Sequence, residues 1–187
     1  RATMENLTRI EVSIISLIVG WAIAQITEIV KTKRSLSKIK DAVIDELNDV
    51  MSLLREDSEK AFKASQEYST SNSTYIIGFE ISMPIFDKRY SEISHELNKE
   101  QRHAIRTFVN HTKHYNKKIS EITSLKSGES SVLIIKSLLF DAYKHGAYAA
   151  TFLEICNKNG GKERIDDNHP KLVMLKALVE KRADSVF

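Results

Sequence analysis

Histidines are the residues in this chain whose type and spacing are best suited to chemistry. His103, His111 and His114 fall in one predicted helix, and His145 falls in another. His111 and His114 are three positions apart, so they share a helix face and could supply two ligands to a metal ion, with His145 as the third. His103 lies roughly 16 Å along the axis from His114 and cannot join them. The region of His111, His114 and His145 is therefore the one candidate site for a metal enzyme or a hydrolase.

The motifs that normally accompany such chemistry are absent from the sequence. It contains no HExxH, no cysteine-rich metal spacing, no nucleophile elbow and no glycine-rich phosphate loop. Asp141, Tyr143, Lys144 and His145 form a polar cluster on one predicted helix, but nothing beside it specifies a reaction. The lone Cys156 lies among apolar residues and is predicted to be a buried, inert thiol. We therefore expect no catalytic residue, no cofactor and no metal, and packed or solvated histidines are the simpler interpretation.

An uncharged apolar run near the amino end is the element around which the chain is organised. Residues 12–26 read VSIISLIVGWAIAQI, between Glu11 and Glu28. The uncharged window of roughly 16 residues gives about 24 Å of helix, against about 30 Å of hydrocarbon in a bilayer. It is short for a span, but Ile29 and Val30 extend it. The pattern predicts a single transmembrane helix.

Two other interpretations of this run stay open. Ala22-Ile23-Ala24 resembles a signal-peptide cleavage site, and cleavage there would release an exported helical binding domain. Glu5 and Glu11 offset Arg9 where a signal peptide would have a basic start, which argues against cleavage. A buried amphipathic core helix is the remaining alternative.

Charge bias predicts the orientation of the span. Counting from Met4, only Arg9 is basic before the run, whereas a basic collar follows it. The collar consists of Lys31, Lys33, Arg34, Lys38 and Lys40. The positive-inside rule places the amino terminus outside and the remainder in the cytoplasm. The collar would then lie against the anionic lipid of the cytoplasmic leaflet.

Small residues recur along the predicted span. Ser16, Gly20 and Ala24 follow one another at four-residue steps and form a stripe on one side of the helix. In lipid such a stripe permits close crossing of two helices. It predicts self-association through the membrane helix, although small residues also occur in a span by chance.

Composition favours an all-helical protein. The 187 residues include only 6 Gly and 2 Pro, few for a chain rich in turns. The net charge of +3 is small for a general nucleic-acid binder, so no specific nucleic-acid binding is expected. We predict a membrane anchor with its collar over residues 1–34 and a cytoplasmic antiparallel bundle of about four helices over residues 35–187.

Hydrophobic spacing predicts the helices of this domain. Apolar residues from Leu36 to Leu54 recur at three- and four-residue steps, which predicts one helix from the membrane run to about Tyr68, with a short coiled coil as an alternative use. Residues 69–74 read as a loop. Residues 75–83 are ambiguous and are interpreted as irregular or helical. A helix should follow from Pro84 to about Leu125, with a bend near Asn98.

The carboxyl half should contain two further helices. After a turn at residues 127–130, with Ser130 or Ser131 as N-cap, a very apolar helix from Val132 to about Asn157 should be the central helix. Asn159-Gly160-Gly161 should end it. A last helix from Pro170 is predicted to bury Leu172, Val173, Leu175, Leu178 and Val179.

Five basic residues form a stripe on the helix before that turn. They are Lys99, Arg102, Arg106, Lys113 and Lys117. A solvated face is the simplest interpretation. The functional alternative is docking on anionic lipid or an acidic partner, which Glu96, Glu100 and Glu121 nearby weaken.

Together these features predict a single-pass membrane protein that acts by self-association or partner binding at the bilayer, as a scaffold, a sensor or a membrane effector of bacterial type. The alternatives are a membrane-tethered hydrolase or metal enzyme at His111, His114 and His145, and the exported binding domain. No motif identifies a family.

Overall fold

The computed structural model describes residues 9–69, 78–125, 131–158 and 160–187. These ranges are mostly helical and contain no β-strand, as the composition predicts. The five α-helices are α1 (Arg9–Glu67), α2 (Pro84–Ile93), α3 (Lys99–Ser124), α4 (Val132–Lys158) and α5 (Pro170–Ala183), with a 3-10 turn at Ser94–Glu96 after α2. The predicted turn at residues 127–130, the loop residues 70–74, residues 75–77 of the ambiguous segment and Asn159 lie outside the described residues.

The chain divides into two compact units, Arg1–Ala42 and Val43–Phe187. The predicted boundary between residues 34 and 35 stays a prediction. In the first unit the described part belongs to α1, and its side chains from Glu11 to Trp21 are all exposed. One helix near the amino end, α1, is long and apolar enough to cross a membrane by length and composition.

In the second unit, helices pack together around buried apolar residues. From α1, Val43, Leu47 and Leu54 are each 0% exposed, at the spacing that puts them on one face. From α4, twelve residues of a 27-residue helix are buried, among them Leu139 and Leu153. Burial over so much of its circumference is explained by packing of α1, α3 and α5 against α4.

Gly146 lets α4 approach α1 closely. A Cβ at this position would lie 2.9 Å from Ser58 Cβ and 3.3 Å from the Leu54 carbonyl oxygen. Further along, Asn157 Nδ2 donates to Asn48 Oδ1 at 2.7 Å. The absence of a side chain at Gly146 therefore fixes how near the two helix axes can lie.

The long helix predicted from Pro84 to Leu125 is two helices, with the break at the predicted bend. Asn98 has an extended backbone and its side chain accepts a hydrogen bond from the Gln101 amide at 2.8 Å, while the Gln101 side chain accepts from the Asn98 amide at 3.0 Å. This capping box satisfies two amides that a helix start leaves unpaired. Asn98 thus begins a new helix.

Residues 78–83 are irregular, one of the two predicted states. Asn116 on α3 holds this segment, because its side chain accepts from the Ile81 amide at 2.8 Å and donates to the Ile81 carbonyl at 2.7 Å. Glu46 on α1 then accepts from the Ile85 and Phe86 amides at 3.0 and 2.6 Å. A carboxylate at the amino end of a helix satisfies unpaired amides and interacts favourably with the positive end of the helix dipole.

The ends of α4 follow the predicted pattern where they are described. Ser131 Oγ accepts from the Leu133 amide at 3.3 Å, the expected N-cap contact. Gly160 and Gly161 have φ of 57° and 68°, the left-handed conformation that glycine adopts at helix ends. Cys156 is a free thiol, buried as predicted, and burial raises its pKa.

The last helix starts at Pro170 as predicted but buries less than its sequence suggests. Leu172 and Val179 are buried and Leu175 is half-buried, whereas Val173 and Leu178 are 51% and 43% exposed. The prediction was wrong for these two residues because α5 presents a narrow face to the core. Its far end is held instead by Arg182, whose guanidinium lies 4.3 Å from the Phe62 ring centroid and 2.8 Å from Glu59.

Candidate functional site

The contact between α3 and α4 brings the three predicted histidines together. Nδ1 of His111 lies 3.0 Å from Nδ1 of His145, so one ring nitrogen carries the proton and the other accepts it. The rings of His114 and His145 stack with centroids 4.9 Å apart. His103 is exposed on another part of α3, as the sequence predicts.

Aromatic neighbours close the inner side of this cluster. The His111 ring stacks on Tyr148 and Phe152, with centroid distances of 5.5 and 6.0 Å. Burial, with His114 and Lys144 nearby, lowers the pKa of His111. Burial and the surrounding His111, His114 and Lys144 lower the pKa of His145 to about 4. At neutral pH the pair is thus held in its uncharged form.

The geometry does not assemble these rings around one ion. The Nδ1 atoms of His111 and His145 approach each other, but the His114 ring stacks face to face on the His145 ring. The lone pairs of two stacked rings lie in separate, nearly parallel planes, so they do not point towards one shared ion. Within the described residues, no group of three or more His, Cys, Asp or Glu side chains is arranged to hold a metal. The cluster as it stands is a packed hydrogen-bonded contact.

The predicted polar cluster around Asp141 separates into two environments. Asp141 pairs with Lys144 at 2.9 Å and lies 4.0 Å from Lys118 of α3. Tyr143 is buried on another side of α4, with the Arg182 guanidinium 4.9 Å from its ring centroid. Asp141 and Lys144 therefore lie near His145, whereas Tyr143 belongs to the contact with Arg182.

Four of the five residues in the basic stripe are exposed. Lys99, Arg106, Lys113 and Lys117 are exposed on α3, and Lys117 lies 3.9 Å from Glu121. Arg102 has another role, because its guanidinium donates to the carbonyl oxygens of Ser94 and Leu97 at the end of the 3-10 turn. Its charge thus stabilises the break between α2 and α3.

In the first unit, the predicted packing stripe and most of the collar are exposed. Ser16, Gly20 and Ala24 lie on the exposed part of α1, and a Cβ at Gly20 would meet no described atom within 4 Å. Lys31, Lys33, Arg34 and Lys38 are exposed and Lys40 is half-buried. Leu17 and Trp21, which follow Ser16 and Gly20 in the sequence, are 75% and 64% exposed.

One exposed feature of α1 was not predicted from the sequence, because the prediction for this helix rested on its apolar residues. Acidic residues recur on the side away from the core, at Asp45, Asp49, Glu56 and Glu59. The signal that could have found them is the same three- and four-residue spacing, applied to charge instead of hydrophobicity.

Comparison with known proteins does not assign the chain to a family. The chain matches no protein-family model, no curated protein and no solved structure at a significant level.

Proposed function

We propose that this chain is a single-pass membrane protein that acts by associating with copies of itself or with a membrane partner. The observation that carries this proposal is the exposed apolar surface of α1. Eleven large apolar side chains between Val12 and Val30 are 43–75% exposed. A continuous apolar surface of this kind is unfavourable in water, and hydrocarbon is the environment that covers it at no cost.

The orientation in the proposal comes from charge. The collar supplies five basic residues after the span, so the amino terminus lies outside and the domain lies in the cytoplasm. The domain is an antiparallel bundle, supported by the order of its contacts. Asn48 and Arg55 of α1 contact Asn157 and Glu154 of α4, so the chain directions oppose each other.

Self-association in the bilayer is assigned to the stripe of Ser16, Gly20 and Ala24. Apolar side chains gain nothing from association in lipid, so close backbone approach over small residues provides the attraction. Gly20→Leu should reduce the oligomer observed in mild detergent, whereas Ile18→Leu, on another side of the helix, should leave it unchanged. An unchanged oligomer in Gly20→Leu argues against the stripe.

A separate experiment tests whether the chain is anchored in the membrane with its domain in the cytoplasm. The full chain should stay in the membrane pellet after alkaline extraction, and a protease added outside intact cells should leave the domain uncut. Release into the alkaline supernatant contradicts the anchor. An intact mass lacking residues 1–24 would instead establish the exported binding domain.

A second candidate, a membrane-tethered hydrolase or metal enzyme, has one observation in its favour, the 3.0 Å approach of His111 to His145. Metal analysis of the purified chain tests it. Stoichiometric zinc that is lost in His114→Ala would favour the enzyme over the packed contact, because the packed contact needs no third ligand.

A further inference from the structure

The basic collar of α1 divides between two opposite sides of the helix. At 100° per residue, Lys31, Arg34 and Lys38 fall within about 60° of the circumference and form a cationic face. Lys33 and Lys40 lie roughly 180° away from it. The three side chains of the cationic face are exposed, and no carboxylate oxygen in the described part of the chain lies within 4.0 Å of their charged nitrogens.

The cationic face lines a groove that also has an apolar part. Ile26 and Val30 supply the apolar lining, and Thr27 and Ser35 lie between them and the charges. The Thr27 hydroxyl donates to the Ile23 carbonyl at 2.8 Å, so the cationic face and Ser35 are the polar groups left for a ligand. An apolar strip followed by three cations matches a lipid, in which an acyl chain is followed by an anionic head group.

The cationic face lies on the same side of α1 as the packing stripe. Ser16, Gly20 and Ala24 fall within about 80° of the circumference, and the cationic face falls within that same sector. In a parallel pair of copies that cross at the stripe, the two cationic faces are therefore directed towards each other. Like charges at such a contact repel, so the arrangement that brings the stripes together also brings the cations together.

We propose that the cationic face binds the head group of a lipid with two or more phosphate groups, and that this lipid permits the chain to self-associate. The inference rests on the proposed function, because it adds a regulator to the contact made by the packing stripe. Arg34 can bind a phosphate through two parallel N–H bonds, and the two lysines act as point charges beside it. Phosphates between two copies offset the repulsion that a neutral lipid leaves in place.

The position of the cationic face favours a lipid over a soluble polyanion. Val30 ends the apolar run, and the three cations follow it within about 12 Å along the helix axis. The head-group layer of each leaflet is about 5–8 Å deep, and long basic side chains reach towards it along the helix. A soluble polyanion would contact the charges and leave Ile26 and Val30 uncovered.

Vesicles of two compositions test the proposal on the full chain. Energy transfer between amino-terminally labelled copies measures their association. Association should be about tenfold stronger in phosphatidylcholine with about 5 mol% cardiolipin, whose head group carries two phosphates, than in phosphatidylcholine alone. Pyrophosphate added to vesicles of phosphatidylcholine alone should not replace cardiolipin, and equal promotion by pyrophosphate would overturn the lipid as the ligand.

Two matched double variants locate the effect on the helix. Lys31→Gln with Lys38→Gln removes two charges from the cationic face, and Lys33→Gln with Lys40→Gln removes two charges at the same spacing from the opposite side. Glutamine has nearly the helix propensity of lysine, so both variants should fold.

The two variants should differ in both kinds of vesicle. The first should lose the response to cardiolipin and should associate more strongly than the unaltered chain in phosphatidylcholine alone, because the repulsion between copies is relieved. The second should keep the response of the unaltered chain. Equal behaviour of the two variants would overturn the assignment of the ligand to the cationic face.

Failure of the lipid requirement is distinguishable from failure of the proposed self-association. If the unaltered chain associates equally with and without cardiolipin and Gly20→Leu disrupts this association, only the lipid requirement is refuted. If the unaltered chain is monomeric in both kinds of vesicle, the self-association is refuted as well.

Discussion

His145 approaches His111 across the contact between α3 and α4, with their Nδ1 atoms 3.0 Å apart. The two residues are 34 positions apart in sequence, and α4 must run back along α3 to bring them together. The charged groups that face them are His114, Lys144 and Asp141, of which only Asp141 favours protonation of His145. One proton between the two Nδ1 atoms is compatible with this arrangement. A second proton there is disfavoured, because it would charge the pair.

Stability should therefore fall as the pH is lowered from about 6.5 to about 4. The pKa of His145 is about 4 in the folded chain against an ordinary 6.5, so the unfolded chain binds more protons in this window. Full stabilisation is present above 6.5 and is lost by about 4. His145→Gln should flatten this dependence, measured by the thermal midpoint in circular dichroism. His103→Gln, at an exposed site, should retain it, and an equal slope in all three chains refutes the assignment.

Removal of the Glu46 carboxylate should destabilise the second unit. Glu46 accepts from the Ile85 and Phe86 amides, and its loss leaves the first turn of α2 without this cap. Glu46→Ala should lower the free energy of unfolding by about 1–3 kcal/mol, the range for charged hydrogen bonds and helix caps. Denaturant titration followed by circular dichroism gives the value. Glu67→Ala, at an exposed position, should change it by less than about 0.5 kcal/mol, and equal losses would contradict the capping role.

A methyl group at Gly146 should separate α1 from α4. Its Cβ would lie 2.9 Å from Ser58 Cβ and 3.3 Å from the Leu54 carbonyl oxygen, too close for ordinary packing. Overpacking costs about 1–3 kcal/mol, which should exceed the gain of about 1 kcal/mol in helix propensity from alanine. Thermal unfolding should show a net loss. Gly20→Ala, with no described atom within 4 Å, should not destabilise the domain, and a stabilised Gly146→Ala would refute the close approach.

Asn116→Leu should release the segment at residues 78–83. The asparagine amide pairs with both the amide and the carbonyl of Ile81, and leucine of similar size removes both hydrogen bonds while retaining volume. Each lost hydrogen bond should cost about 1 kcal/mol. Limited proteolysis should cut this segment faster in the variant. Asn110→Leu, on the exposed side of the same helix, is the control, and equal cleavage of both variants counts against the role of Asn116.

Sequence alone determined the features that depend on local spacing. Apolar steps of three and four residues located α1, α4 and α5, because residues at this spacing share a helix face whatever lies opposite. The proline at residue 170 and the glycines at residues 160 and 161 marked helix ends for equally local reasons. The apolar run at residues 12–26 likewise needed no tertiary information to suggest a span.

Tertiary structure decided which of those faces meet. Val173 and Leu178 fit the helical pattern of a buried stripe, yet they are exposed because α5 presents only part of that stripe to the core. Arg102 fits the basic stripe, yet it binds the backbone of a preceding turn. The capping of α2 by Glu46 and the meeting of His111 with His145 join residues 39 and 34 positions apart. Spacing along one helix carries no information about such contacts, because they depend on the rotation and direction of its neighbour.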